Sequence, residues 1–86
     1  MPTSRVRLRK PTITHKKLDG NILGLANQQD FEIEIDPRQL SKEYLDTLIH
    51  EQLHCFLPDL SERMISKMAT MLTDEIWKRR YRRVAN

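Results

Sequence analysis

Eighty-six residues allow one small domain with a single modest core, which excludes a separate substrate domain. At 38% hydrophobic and 31% charged the chain has little apolar surface to bury, so a bound metal would add directly to its stability. The net charge of +3 is unevenly spread: residues 1–20 carry +5, residues 21–62 carry −7 and residues 63–86 carry +5. The elements follow in chain order. Arg5-Val6-Arg7-Leu8-Arg9 alternates with period two, as a half-exposed strand does, and Pro11 closes it. A turn is expected at Asp19-Gly20-Asn21, and Ile22–Ala26 reads as a second strand. The polar turn Asn27–Asp30 leads to Phe31–Asp36, the cleanest alternation in the chain, with Phe31, Ile33 and Ile35 inward and Glu32, Glu34 and Asp36 outward.

After Pro37 the period changes. The spacing predicts a helix over 41–57, with Ser41 as N-cap and Leu40 packed on Leu45 as a hydrophobic staple. Leu45, Leu48, Ile49, Leu53 and Phe56 form its apolar stripe, while Asp46, His50 and His54 form a separate row at spacings of four. Pro58 interrupts, and Asp59 or Ser61 caps a second helix over 60–82. Its stripe is Ile65, Met68, Ala69, Leu72 and Ile76, and it ends in the basic run Lys78–Arg83. Strands followed by a helical hairpin define an α+β fold: a three-stranded antiparallel sheet, strands within 1–36, packed on an αα-hairpin in a single domain over 1–86.

The chemistry is concentrated in His50-Glu51-Gln52-Leu53-His54. Histidines four apart share one helix face and reach one metal, while Glu51, one step round, holds a water without taking a ligand position. The flanks Thr47-Leu48-Ile49 and Cys55-Phe56 carry no charge, as suits a mostly buried helix. A catalytic Zn2+ keeps three protein ligands and one open position. His50 and His54 supply two, and Glu51 is the expected general base for the metal-bound water. For the third, Glu62 at the start of the second helix is favoured by position over Asp59 and Glu75. A capping box from Asp59 would compete for the same Glu62 carboxylate. Cys55 points roughly 100° away from His54 and is expected in the core.

The stretch Thr47–Glu62, TLIHEQLHCFLPDLSE, resembles the core of small zincin-like metallopeptidases of bacteriophages, cyanophages included. It is more distantly similar to the minigluzincin, SprT-like and ImmA-like families. The resemblance spans roughly residues 20–80 and implies His50 and His54 as zinc ligands and Glu51 as base. Gluzincins place their third-ligand Glu further along the second helix, and the third His of the SprT-like pattern is missing. It also implies a substrate-pairing strand, for which Phe31–Asp36 is the candidate. No oxyanion helper is evident: Tyr44, His15 and Tyr81 can each serve only if the fold brings them near, and none has sequence support. The expected function is hydrolysis of a peptide or protein substrate. The alternative is a catalytically weak, zinc-stabilised binding module of phage origin acting on a host protein or nucleic acid. The basic C-terminal end would supply nucleic-acid contact. One cysteine excludes an internal disulfide, no apolar run reaches a membrane span, and the basic start MPTSRVRLRKP has no apolar stretch behind it. A soluble protein of the reducing cytoplasm, with no membrane partner, is expected.

Overall fold

Phe31, Ile33 and Ile35 alternate on one face of a short strand, and that face needs cover. Helix packing supplies it. In the computed structural model, which describes residues 8–84, the elements run β1 (Thr12–His15), β2 (Gly24–Asn27), β3 (Glu32–Ile35), α1 (Ser41–Phe56) and α2 (Glu62–Lys78). The fold is α+β: α1 packs against β2 and β3 on one side and against α2 on the other. The core between sheet and α1 is Phe31, Ile33, Ile35, Tyr44 and Cys55, joined by the partly buried Ala26, Leu48 and Phe56. Each of the fully buried isoleucines contributes about 1.5–3 kcal/mol over leaving it in water.

The sheet is mixed and not antiparallel as the sequence suggests. Its order is β1-β3-β2, with β1 parallel to β3 and β2 antiparallel to it. The cause lies in the connection between β1 and β2, which crosses the end of β3 instead of turning back as a hairpin. Asp36, immediately past β3, pins that crossing. Its Oδ2 accepts from the Leu18 N–H at 3.0 Å, and both its oxygens take Arg38 N–H groups, while Arg38 Nη2 also donates to the Leu18 carbonyl at 3.2 Å. Asp36 is therefore buried, at 4% exposure, and not on the outward face that alternation gives it. Gly20 makes the turn in this crossing at φ +62, with Ile22 N–H bonded back to the Asp19 carbonyl.

The first strand is displaced from its expected position. Residues 5–7 of the expected Arg5–Arg9 strand lie outside the described residues, and Leu8 and Arg9 are exposed and in no strand. The pairing strand is Thr12–His15, and the buried Pro11 stands before it instead of closing one. All four residues of β1 are exposed, so no apolar stripe marks it in the sequence. The helix ends also differ in detail. Leu40 occupies the N-cap position of α1 and is 81% exposed, so it makes no staple, and Ser41 is the first helical residue. In α1 the buried residues are Tyr44, Thr47 and Cys55, while the apolar stripe Leu45, Leu48, Ile49, Leu53 and Phe56 is only half-buried, because the helix is covered on two sides. In α2 the buried positions are Ile65, Ala69 and Thr73, with Leu72 45% exposed, and the helix stops at Lys78 instead of continuing to 82. Among the described residues no helix is long and apolar enough to cross a membrane.

The Arg38 guanidinium bonded to Asp36, with the Leu18 N–H, holds the Asp36 carboxyl well below the usual carboxylate range. A carboxyl lowered in the folded state stabilises it above its unfolded pKa of about 3.9 and loses that contribution as pH falls below it. Asp36→Asn is expected to lower the thermal midpoint at pH 7, with the gap to the parent protein closing as the pH falls below about 4 in an acid-titrated thermal melt.

Candidate metal centre

Antiparallel packing of α1 on α2 through a short connection sets the start of α2 beside the end of α1. The turn is tight: the Leu57 N–H bonds to the Leu53 carbonyl and the Leu60 N–H to the Leu57 carbonyl. Ser61 then caps α2, its hydroxyl accepting from the Met64 N–H at 3.2 Å. With Ser61 as the cap, Glu62 is the first helical residue and is not engaged in a capping box. That removes the competition between capping and metal binding.

His50, His54 and Glu62 come together. Each offers a ligand atom within 4.8 Å of the other two. The two imidazole Nε2 atoms are 3.2 Å apart, Glu62 Oε1 lies 2.6 Å from His54 Nε2, and Glu62 Oε2 lies 3.0 Å from His50 Nε2. A tetrahedral zinc with bonds of about 2.0–2.1 Å holds its donors roughly 3.3–3.4 Å apart. The observed set matches that triangle within an ångström, and the largest adjustment falls on Glu62, whose side chain is 66% exposed and held from one side by the Ser66 hydroxyl at 3.0 Å. Two nitrogens 3.2 Å apart turned towards one carboxylate also suit a cation electrostatically, since each unprotonated Nε2 carries a lone pair into the same space. The group is thus able to hold a metal ion. Cys55, fully buried, packs into the core beneath it.

Electrostatics divide the two glutamates. Burial pushes the Glu51 carboxyl up, and Glu62 adds to this, while His50 and His54 pull the other way. At Glu62 desolvation also pushes upward, but hydrogen bonds from Ser66 and His54 and the two histidines outweigh it and bring the carboxyl down. One carboxylate is therefore suited to ligation and the other to carrying a proton. The remaining candidates lie elsewhere. Glu75 pairs with Arg79 at 2.8 Å, and Asp59 is exposed outside the donor group.

Glu51 opens onto a hollow of about 470 Å3 lined by residues 21–25 of the β2 approach and by Asp46, Thr47, His50 and Glu51. Gly24 sets its depth. A Cβ added there would lie 2.7 Å from Thr47 Cγ2 and 3.0 Å from Glu51 Cγ, so only glycine lets β2 pass this close to the helix. Gln39 fixes the same contact by donating to the Leu23 and Asp36 carbonyls while accepting from Thr47 Oγ1 at 2.7 Å. Gly24 and Gln39 are the residues that motif reading passed over. An isolated glycine inside a strand pattern was the available signal for the first, and nothing in the sequence marks the second.

Two expectations about substrate groups are corrected. β3 is the central strand, paired on both sides, and so has no free edge; the edge beside the metal helix is β2. Tyr44 and Tyr81 line a different hollow, and His15 Nε2 sits 2.6 Å from the Tyr44 hydroxyl, so none of the three faces Glu51. Comparison with protein-family models, curated proteins and solved structures found no match to this chain.

Two outcomes check this geometry. His54→Ala and Glu62→Gln are each expected to weaken zinc binding by more than the roughly 10–100-fold that loss of an outer-shell partner costs, whereas Asp59→Asn and Glu75→Gln leave it unchanged in a chelator competition titration. Gly24→Ala, which stabilises proteins where space exists, is here expected to destabilise by about 1–3 kcal/mol in urea denaturation.

Proposed function

We propose that this chain is a zinc-dependent metallopeptidase of the small zincin-like, phage-type kind that its HExxH helix resembles. The observation that carries the reading is the convergence of the His50, His54 and Glu62 donor atoms with Glu51 on the next step of the same helix. When bound, zinc supplies Lewis acidity, which polarises a carbonyl and brings the acidity of water into the neutral range. The chain's own residues do the rest. Glu51, half-buried and with its carboxyl raised by desolvation, takes a proton from the attacking water and returns it to the leaving amine. Its position under β2 keeps it out of the ligand set and at the wall of the hollow.

A peptide substrate is held in extended form along the unpaired side of β2, adding a strand to the sheet. Leu25 and Ile22, 47% and 45% exposed beside the hollow, give such a strand apolar contact, and Asp46 contributes a negative charge to the lining. The compartment that suits a lone buried thiol is reducing, and we assign the reaction to the cytoplasm.

Glu51→Gln separates a peptidase from a structural zinc protein. It is expected to retain stoichiometric zinc while the hydrolysis rate of a casein or quenched-peptide substrate falls roughly 10²–10⁴-fold. A parent protein that binds zinc yet cleaves no peptide faster than its Glu51→Gln form would instead make the metal purely structural.

A further inference from the structure

The basic run at the end of α2 takes no part in the chemistry proposed for the metal centre. Lys78, Arg79, Arg80, Arg82 and Arg83 place five cations in six residues, with Tyr81 among them. All are exposed, and among the described residues only Arg79 pairs with a carboxylate, Glu75. Such a cluster is often no more than a solvated helix end, favoured by the macrodipole. Here it borders something else. A hollow of about 250 Å3 opens at the same end of the helical hairpin, lined on one side by Tyr44, Ile76 and Trp77 and on the other by Tyr81, Arg82 and Arg83.

The two arginines are held in place. The helix ends at Lys78 with Arg79 as its C-cap, Arg80 takes a left-handed conformation at φ 70, and the chain doubles back. Arg82 then lies with its guanidinium carbon 3.5 Å from the Trp77 ring centre, and Arg83 with its own 4.2 Å from that of Tyr44. Arg82 Nη1 donates to the Trp77 and Tyr81 carbonyls at 2.9 and 3.0 Å, and Arg83 Nη1 to the Pro37 carbonyl at 3.3 Å. Only one nitrogen of each guanidinium is used in these bonds. The remaining N–H groups of both stay available, on planes already oriented, for a bidentate anion such as a phosphate. Tyr81 is 71% exposed, an open aromatic face beside these cations.

A mostly apolar hollow, the exposed Tyr81 ring and two guanidiniums held in place beside it, each with N–H groups to spare, are what single-stranded nucleic acid requires: a ring to stack a base and charge to follow the backbone. A duplex hides its base faces and has no use for the hollow. An anionic membrane surface would need the charge but not the aromatic slot. We propose that the open end of the helical hairpin binds single-stranded nucleic acid, with a base in the hollow beside Trp77 and Tyr81 and phosphates on Arg80, Arg82 and Arg83. This surface is separate from the metal centre. Trp77 stands fifteen residues after Glu62 along α2, roughly 22 Å at 1.5 Å per residue, so this surface can be tested without disturbing zinc.

The test uses the zinc-loaded full chain and a fluorescently labelled twelve-nucleotide oligothymidylate, read by anisotropy across a salt series. Trp77, the sole tryptophan, reports the hollow directly. The expected results are salt-dependent binding, with a log–log slope of about −2 for three phosphate contacts, and a change in Trp77 emission that saturates with the anisotropy. Replacing Arg80, Arg82 and Arg83 together by Gln should weaken binding at least tenfold and flatten the slope, and Tyr81→Ala should weaken it about fivefold or more. Binding that leaves Trp77 emission unchanged overturns the proposal without relying on any variant. So does equal affinity of the triple variant, tighter binding of the matching duplex, or retention on phosphatidylserine vesicles without oligonucleotide binding.

Discussion

Helix α1 is covered on two sides, by the sheet and by α2, and every feature of the candidate site depends on that double contact. The sheet side brings β2 against Thr47 and Glu51 at a glycine. The α2 side delivers Glu62 to the two histidines through a connection only five residues long, 57–61. Because both neighbours meet the same helix, the general-base candidate and the metal donors keep a fixed relation without a large scaffold. In a chain of 86 residues with one modest core, a metal held at the hairpin turn would add its binding free energy directly to the fold.

The two clusters stand at opposite ends of the hairpin. His50, His54 and Glu62 meet at the closed end, where a cation would have three donors and where Glu51 is partly withdrawn from water. Arg82 and Arg83 lie at the open end, pinned against Trp77 and Tyr44. Each end carries both signs: Arg63 follows Glu62, and Asp74 and Glu75 pair with Lys42 and Arg79. The modest net charge of +3 is the sum of sequence segments of opposite sign.

The parts that were legible in the sequence are those with a local cause. The HExxH spacing, the alternation of Phe31, Ile33 and Ile35, and the break at Pro58 each follow from short-range geometry, and the helices and central strand stand within a few residues of where those signals put them. Glu62 was identified by its place after the turn, and Ser61 as cap explains why its carboxylate is available. What was not legible is non-local. β1 has no buried face, so Thr12–His15 carries no pattern, while the arginine-alternating stretch before it does. Asp36 reads as one more outward acid until the Leu18 crossing and Arg38 enclose it. The parallel pairing of β1 depends on that crossing, which no strand's own residues encode. The choice of β2 over β3 as free edge follows from it.

The central claim is that the two histidines and Glu62 form one metal-binding set. X-ray absorption at the zinc edge of the zinc-loaded protein tests it most directly, because it reads ligand type and distance without requiring activity. Two imidazoles and oxygen neighbours at about 2.0–2.1 Å are expected, with no sulfur shell near 2.3 Å, and loss of one oxygen contribution in Glu62→Gln. A sulfur shell, a single imidazole, or a spectrum unchanged by Glu62→Gln would contradict it.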